Sequence, residues 1–158
     1  MTATSERLRY RHILHDGDPA AIRALAETLT SLSAERRAIP AQLAETTLDG
    51  SSTYRWLLAE AGKELVGFAC YDRAELSTTS FELYWIAVLP RLQKQGLGRE
   101  LIGRVARLAR SKHGLQLFAE TSSRDTHAAA RAFYERLGFT EVARLAEFYE
   151  PGADRLVL

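Results

Sequence analysis

The chain has 158 residues, 46% of them hydrophobic and 26% charged, with a formal net charge of +1 and one cysteine, Cys70. That length predicts one domain, residues 1–158, able to bury roughly two-thirds of its unfolded surface. No apolar stretch approaches the roughly 20 residues that cross a bilayer. Met1 to Arg11 lacks the apolar core of a secretory signal, and a lone thiol excludes an internal disulfide, so a cytoplasmic setting without a membrane partner is expected.

Arg7 to Leu14 alternates loosely through Leu8 and Tyr10 and reads as a first strand. Asp18 before Pro19 suits a helix start as N-cap and first residue, and Ile22, Leu25, Ala26 and Leu29 continue at helical spacing. A second short helix begins at Ser33 or Ala34, with Pro40 interrupting it before Leu43 to Leu48. Tyr54 to Ala59 and Glu64 to Tyr71 flank the Ala61-Gly62-Lys63 turn and predict a hairpin. Phe81 to Val88 predicts a long strand, ended by Pro90. Leu97 to Arg110 gathers Leu97, Leu101, Ile102, Val105, Leu108 and Ala109 on one stripe, the mark of a helix with a single buried face. Leu115 to Ala119 reads as a buried strand, and Asp125 or Thr126 caps a helix that stops at Gly138. Phe139 to Tyr149 and Asp154 to Leu158 form a last strand pair around Pro151-Gly152. This order predicts a mixed α/β sheet with helices on both faces.

Charge is distributed unevenly along these elements. From Arg91 to Lys112 seven basic residues face Glu100 alone, whereas from Ala41 to Leu89 seven acids face three basic residues. The basic stretch begins beside Gln93-Lys94-Gln95-Gly96-Leu97-Gly98, which joins the long strand to the amphipathic helix. A turn of this kind presents unpaired backbone N–H groups and the positive end of a helix dipole, which suit a phosphate. Gly96 and Gly98 allow close approach of a ligand and positive φ. Gly98 to Gly103 has the spacing of a phosphate-binding P-loop, but Arg104 and Val105 follow where Lys and Ser or Thr are required. A dinucleotide fingerprint would need glycine or alanine where Leu101 stands.

Gln93-x-x-Gly96-x-Gly98, after the strand Trp85 to Val88, resembles the acetyl-CoA signature [QR]-x-x-G-x-[GA] of the GNAT superfamily of N-acetyltransferases. A second block, Ala130 to Phe139, resembles that family's later helix, A-x-x-[LF]-Y-x-x-x-G-F. The resemblance implies about seven mostly antiparallel strands flanked by about four helices, with the coenzyme cleft between the central strands. It also implies acetyl-CoA as acyl donor, direct transfer to an amine, and no metal. Gln93 would join the coenzyme site, where the backbone N–H groups of Lys94, Gln95, Gly96, Leu97, Gly98 and Arg99 would hold the pyrophosphate, with Arg91 or Lys94 near the 3′-phosphate. Ile86, Ala87 and Val88 would pair with the pantetheine arm, and one of their N–H groups would polarise the acetyl carbonyl, a contribution of about 3 kcal/mol.

A lysine-like amine is only about one part in two thousand neutral at pH 7, a cost near 4.6 kcal/mol, so a general base is valuable. Glu82 is the candidate, 11 residues before Gln93 on a strand face expected to carry Tyr84, Ile86 and Val88 as well. Its spacing matches the catalytic glutamate of the family's histone-acetylating members, and Glu120 is the reserve. Tyr134 matches the family tyrosine that protonates the departing thiolate, although a tyrosine on an apolar helix also serves as core packing. Where many members have an asparagine that bonds the pantetheine arm, this chain has His127; Asp125 and Thr126 are its neighbours in that role. His12, His15 and His113 show no metal-ligand spacing, and Cys70 reads as a small core residue.

The amine acceptor, a small molecule or peptide, is expected to lie among residues 36–52, Tyr71, Tyr84, Trp85 and the Phe148 to Gly152 loop, part of an F-Y-x-P-G-x-D segment resembling many bacterial members. Homodimers are frequent in the family, and nothing in the sequence locates an interface. Two other readings stay open at this point: a non-catalytic CoA-binding or regulatory module of the same fold, and an acyltransferase for a larger acyl group. A nucleic-acid partner is not expected, because the basic helix carries no interleaved aromatics and the whole chain is nearly neutral.

Overall fold

The computed structural model describes residues 7–158. Its strands are β1 (Arg9–Arg11), β2 (Arg55–Ala61), β3 (Glu64–Arg73), β4 (Ser80–Val88), β5 (Gln116–Ser122), β6 (Ala143–Glu150) and β7 (Ala153–Val157). Its helices are α1 (Asp18–Glu27), α2 (Ala34–Leu48), α3 (Leu97–Ser111) and α4 (Ala128–Arg136), and single 3₁₀ turns at Pro90–Leu92 and Asp125–His127 precede the last two. The strands form one sheet in the order β1-β2-β3-β4-β5-β7-β6. Every neighbouring pair is antiparallel except β4 and β5. The expected mixed sheet of seven strands and four helices is therefore the fold observed.

Helices cover both faces. On the front, Ile22 and Leu25 of α1 and Ala41 and Ala44 of α2 pack on Trp56, Leu58, Phe68, Cys70 and Ala87. On the rear, Leu101, Ile102 and Val105 of α3 and Tyr134 of α4 pack on Leu57, Val66, Ala69, Phe81 and Leu83. Ile22, Leu57, Phe68, Phe81, Leu101 and Val105 are fully buried, each worth about 1.5–3 kcal/mol of transfer free energy.

Local chemistry explains three departures from expectation. Pro40 lies inside a continuous α2 rather than breaking it. An interior proline costs about 3 kcal/mol, but this one is buried, with Ala41 and Ala44 beside it at no solvent exposure. Asp18 is the first residue of α1 rather than its cap: its carboxylate accepts from the His15 N–H at 2.6 Å and from Arg11 at 2.6 and 2.7 Å. Arg11 also reaches Glu60 of β2 at 2.8 Å, so one guanidinium ties β1, α1 and β2 together. The third departure bears on the site. Cys70 faces Trp85 and Tyr71 faces Leu83, so Tyr84 is an extra residue in β4.

That bulge breaks the two-residue alternation. Phe81 and Leu83 face the rear before it, and Ile86 and Val88 face the rear after it, while Trp85 and Ala87 join the front cluster. Tyr84 packs edge-on against Tyr54 of that front cluster, ring centroids 5.1 Å apart. Unbroken alternation would have put Glu82 on one face with Tyr84, Ile86 and Val88. The bulge leaves Glu82 and Tyr84 together on the front and sends the other two to the rear.

Candidate active site

The pairing of β4 with β5 runs only from Ser80↔Gln116 to Leu83↔Ala119. Beyond that point β5 turns to β7, and among the described residues Tyr84 to Val88 of β4 has no strand on that side. The bulge falls at the same residue, so the sheet splays where β4 changes face. The Leu89 N–H donates to Val66 of β3 at 3.0 Å, whereas the Val88 carbonyl accepts from Gln93 Nε2 at 3.0 Å on the opposite side. Ladder alternation then turns the N–H and C=O of Ile86 and Val88 into the gap and those of Ala87 towards β3.

The gap opens into a cleft of about 480 Å³, within the range of small-molecule sites. Ile86, Ala87 and Val88 form one wall, and Ala129, Ala130, Phe133, Tyr134, Arg136 and Leu137 of α4 and its end form the other. At the mouth lie Gln93, Lys94, Gly96, Gly98 and Arg99. The loop reaches this position through two left-handed residues, Lys94 at φ +59° and Gly96 at φ +91°. Gly96 caps α3 without a side-chain bond, and the N–H groups of Leu97, Gly98 and Arg99 find no acceptor among the described residues. A Cβ on Gly98 would stand 3.1 Å from the Phe133 ring, so a side chain at this position would crowd α4 against the start of α3.

Charge singles out the same mouth. Much of the basic stretch is already compensated: Arg91 pairs with Glu64, Arg104 and Arg107 share Glu100, and Arg104 also lies 3.8 Å over the Tyr10 ring. Lys94, Arg99 and Arg136 all line the cleft, and none forms an ion pair among the described residues. Lys94 and Arg99 beside three free N–H groups make an anion site at the mouth of the cleft, with Arg136 adding a further unpaired cation from the α4 wall.

The residues singled out by sequence are placed as follows. Ile86, Ala87, Val88, Gln93, Lys94, Gly96, Gly98, Arg99 and Tyr134 line the cleft. Leu97 offers its backbone while its side chain sits in the rear core, and the Gln95 amide folds back to the Arg91 carbonyl at 2.7 Å. Tyr134 is 8% exposed, between Phe133 and Phe139 with ring centroids 5.3 and 5.2 Å away, and burial pushes its phenol up to about 12. Glu82 stands on the front face, across the sheet from Tyr134, beside the Tyr84 phenol; burial and then this carboxylate push that phenol up. Glu120 is held by Arg155. His127 is absent from the cleft lining: its Nε2 accepts from Arg36 Nη1 at 3.0 Å and its Nδ1 faces Thr126 Oγ1 at 3.1 Å. Because guanidinium only donates, this imidazole is neutral, and burial followed by the charges of Arg36, Arg124 and Arg131 holds its pKa below the ordinary histidine value.

Arg136 and Ala129 were not singled out by sequence. Their helical spacing from Phe133, three residues to Arg136 and four to Ala129, was the signal available, since residues three or four apart share a helix face.

A sheet split at its parallel pair, with a helix N-terminus and unpaired cations at the mouth of the split, makes a slot suited to a ligand with an anionic head and an extended arm. The family description "Acetyltransferase (GNAT) family" matches residues 20–139, and the chain belongs to that family. A Desulfovibrio desulfuricans structure assigned as a GNAT-family acetyltransferase is 32% identical, covers 96% of each chain and superposes with a TM-score of 0.93. The GCN5-like protein acetyltransferase Rv2170 of Mycobacterium tuberculosis is 36% identical over 83 residues, 52% of this chain. That match spans only 39% of the curated relative's length. Salmonella typhimurium yncA, solved with acetyl-CoA, is 21% identical with a TM-score of 0.65 over 95% of this chain and 91% of that one, a likeness of fold alone.

Proposed function

We propose that this protein is an N-acetyltransferase that moves the acetyl group of acetyl-CoA directly to a primary amine of a small molecule or peptide. The observation that carries the reading is the free edge of β4, which opens onto a cleft ending at unpaired N–H groups and cations. An acyl-coenzyme A has a matching shape: an anionic head, an amide-bearing arm that can pair with a strand edge, and a thioester at its far end. Lys94, Arg99, Arg136 and the Leu97 to Arg99 N–H groups hold the phosphates. Gln93 braces the loop against Val88 rather than spending its amide on the ligand. Ile86 and Val88 supply the arm's hydrogen bonds, and the thioester comes to rest near the apex of the splay.

At that apex Glu82 and Tyr134 stand on opposite faces of the sheet. The acceptor approaches from the front, where Glu82 takes its proton and leaves the nitrogen lone pair free. The C–N bond forms as the C–S bond breaks, and the thiolate receives the proton of Tyr134 from the rear. The second proton shed by the amide nitrogen returns through solvent to the phenolate, while Glu82 releases its proton to water. A phenol pushed up to about 12 stays protonated at neutral pH, as a donor must.

The test mixes the protein with acetyl-CoA and a panel of amines, reads free thiol, and locates the acetyl group on the product by mass spectrometry. The expected result is amine-dependent thiol release with acetyl on nitrogen. Thiol release at the same rate without any amine, or none with every amine, overturns the reading.

A further inference from the structure

The front face beside Glu82 has an unequal charge balance that narrows the acceptor. Ladder register places Asp72, Glu82, Glu120 and Arg155 on this one face. Asp72 is taken by Arg55 at 3.4 Å and by the Thr53 hydroxyl at 2.7 Å, and Glu120 is taken by Arg155. Among the described residues Glu82 has no ion pair, so the floor offers one negative charge.

The rim is the reverse. Arg36 of α2, Arg124 of the β5–α4 loop and Arg131 of α4 surround His127. Arg36 spends Nη1 on that neutral imidazole, and Arg131 spends Nη1 on the carbonyls of Ser122 and Arg124 at 2.6 and 2.7 Å. Neither bond neutralises a charge. Among the described residues only Arg124 has a carboxylate, Glu150 at 3.0 Å, and its Nε is buried without a partner. Three guanidiniums thus share one exposed carboxylate. Floor and rim are continuous: Arg155 lies 4.8 Å over Phe148 and Arg124 lies 5.6 Å over Tyr149, adjacent residues of β6.

We propose that the acceptor is an amino-carboxylate, a small molecule whose amine goes to Glu82 and whose carboxylate goes to the Arg36–Arg124–Arg131 rim. The proposal rests on the N-acetyltransferase reading and narrows it. A polyamine or aminoglycoside would meet one free carboxylate and an excess of guanidinium, so polycations are poor acceptors here. A carboxylate on the rim would supply the charge-assisted bonds that Arg36 and Arg131 lack.

The experiment compares kcat/KM for straight-chain ω-amino acids with n-alkylamines of the same length, and for α-amino acids with their decarboxylated amines. Spermidine and an aminoglycoside form the polycation arm. The acid-bearing member of each pair is expected to win by about tenfold or more, the worth of a charge-assisted hydrogen bond. Arg36→Gln and Arg124→Gln should each raise KM for the acid-bearing amine and leave the alkylamine and the acetyl-CoA Kd unchanged. Equal or better turnover of alkylamines or polycations overturns the proposal while leaving the N-acetyltransferase reading intact. A fall in acetyl-CoA affinity in both variants would assign the rim to the coenzyme and also overturn it. Silence with every amine removes the reading underneath and the proposal with it.

Discussion

The two sides of β4 are built by different means. On the rear, from Ile86 to Arg99 and along α4, the candidate coenzyme cleft is made largely of backbone: a strand edge, a left-handed loop and a helix start. On the front, the candidate acceptor face is made of side chains from α2, β3, β4, β5, the β5–α4 loop, the first turn of α4, β6 and β7, converging through sheet topology. A backbone site narrows residue choice tightly, to glycine at left-handed position 96 and to a small residue at 98, 3.1 Å from the Phe133 ring. A side-chain site demands only charge and shape, which many residues supply. The rear therefore suits a ligand common to many proteins, and the front suits one particular to this chain.

The comparison can be broken most severely at Gly98. Gly98→Trp fills the space beside Phe133 and the phosphate loop and should lower acetyl-CoA affinity by about a hundredfold or more, with the circular dichroism spectrum retained. Unchanged affinity by calorimetry would remove the loop from the site. Tyr134→Phe should lower kcat by about a hundredfold and leave the acetyl-CoA Kd within about twofold, since the hydroxyl acts on the leaving thiolate. Equal turnover would make Tyr134 a packing residue only.

Glu82→Gln sharpens the comparison from the front. It should lower kcat/KM by about a hundredfold near pH 7, and the deficit should shrink as pH rises, because more of the amine is then neutral without help. A deficit independent of pH would mean that Glu82 does not take the proton.

Two smaller effects concern the frame. Burial alone would push the Asp18 and Glu60 carboxyls up, but the hydrogen bonds from Arg11 outweigh it and hold both below their ordinary values. A carboxyl depressed in the folded state adds stability above its unfolded pKa and loses it as pH falls through the folded one. Arg11→Met should therefore cost about 3 kcal/mol at pH 7 and noticeably less below about pH 4, read by denaturant titration. His127, also depressed, stays neutral in the fold. Stability should fall slightly as pH drops below about 6.5, and His127→Gln should flatten that slope in thermal scans.

Much of the rear was legible in sequence because its signals are local. The apolar stripe from Leu97 to Ala109, the paired glycines and the Ala130 to Phe139 block each lie within a few turns of chain. Placement of Glu82 was harder, since alternation assumes an unbroken strand and nothing in Phe81-Glu82-Leu83-Tyr84-Trp85 announces the extra residue at Tyr84. Pro40 misled for a related reason: its local cost is real, and tertiary burial overrides it. The contact between Arg36 and His127, 91 residues apart, has no sequence signature at all. The front face is legible only once topology has assembled it.

Amide hydrogen exchange with and without acetyl-CoA addresses the account most directly, because the claimed site is a set of backbone N–H groups. Saturating acetyl-CoA should slow exchange at Ile86, Val88, Leu97, Gly98 and Arg99 while leaving the Arg36 and Tyr149 amides unchanged. Protection confined to the front face, or none along β4 and the loop, would contradict the placement of the coenzyme in the splayed sheet.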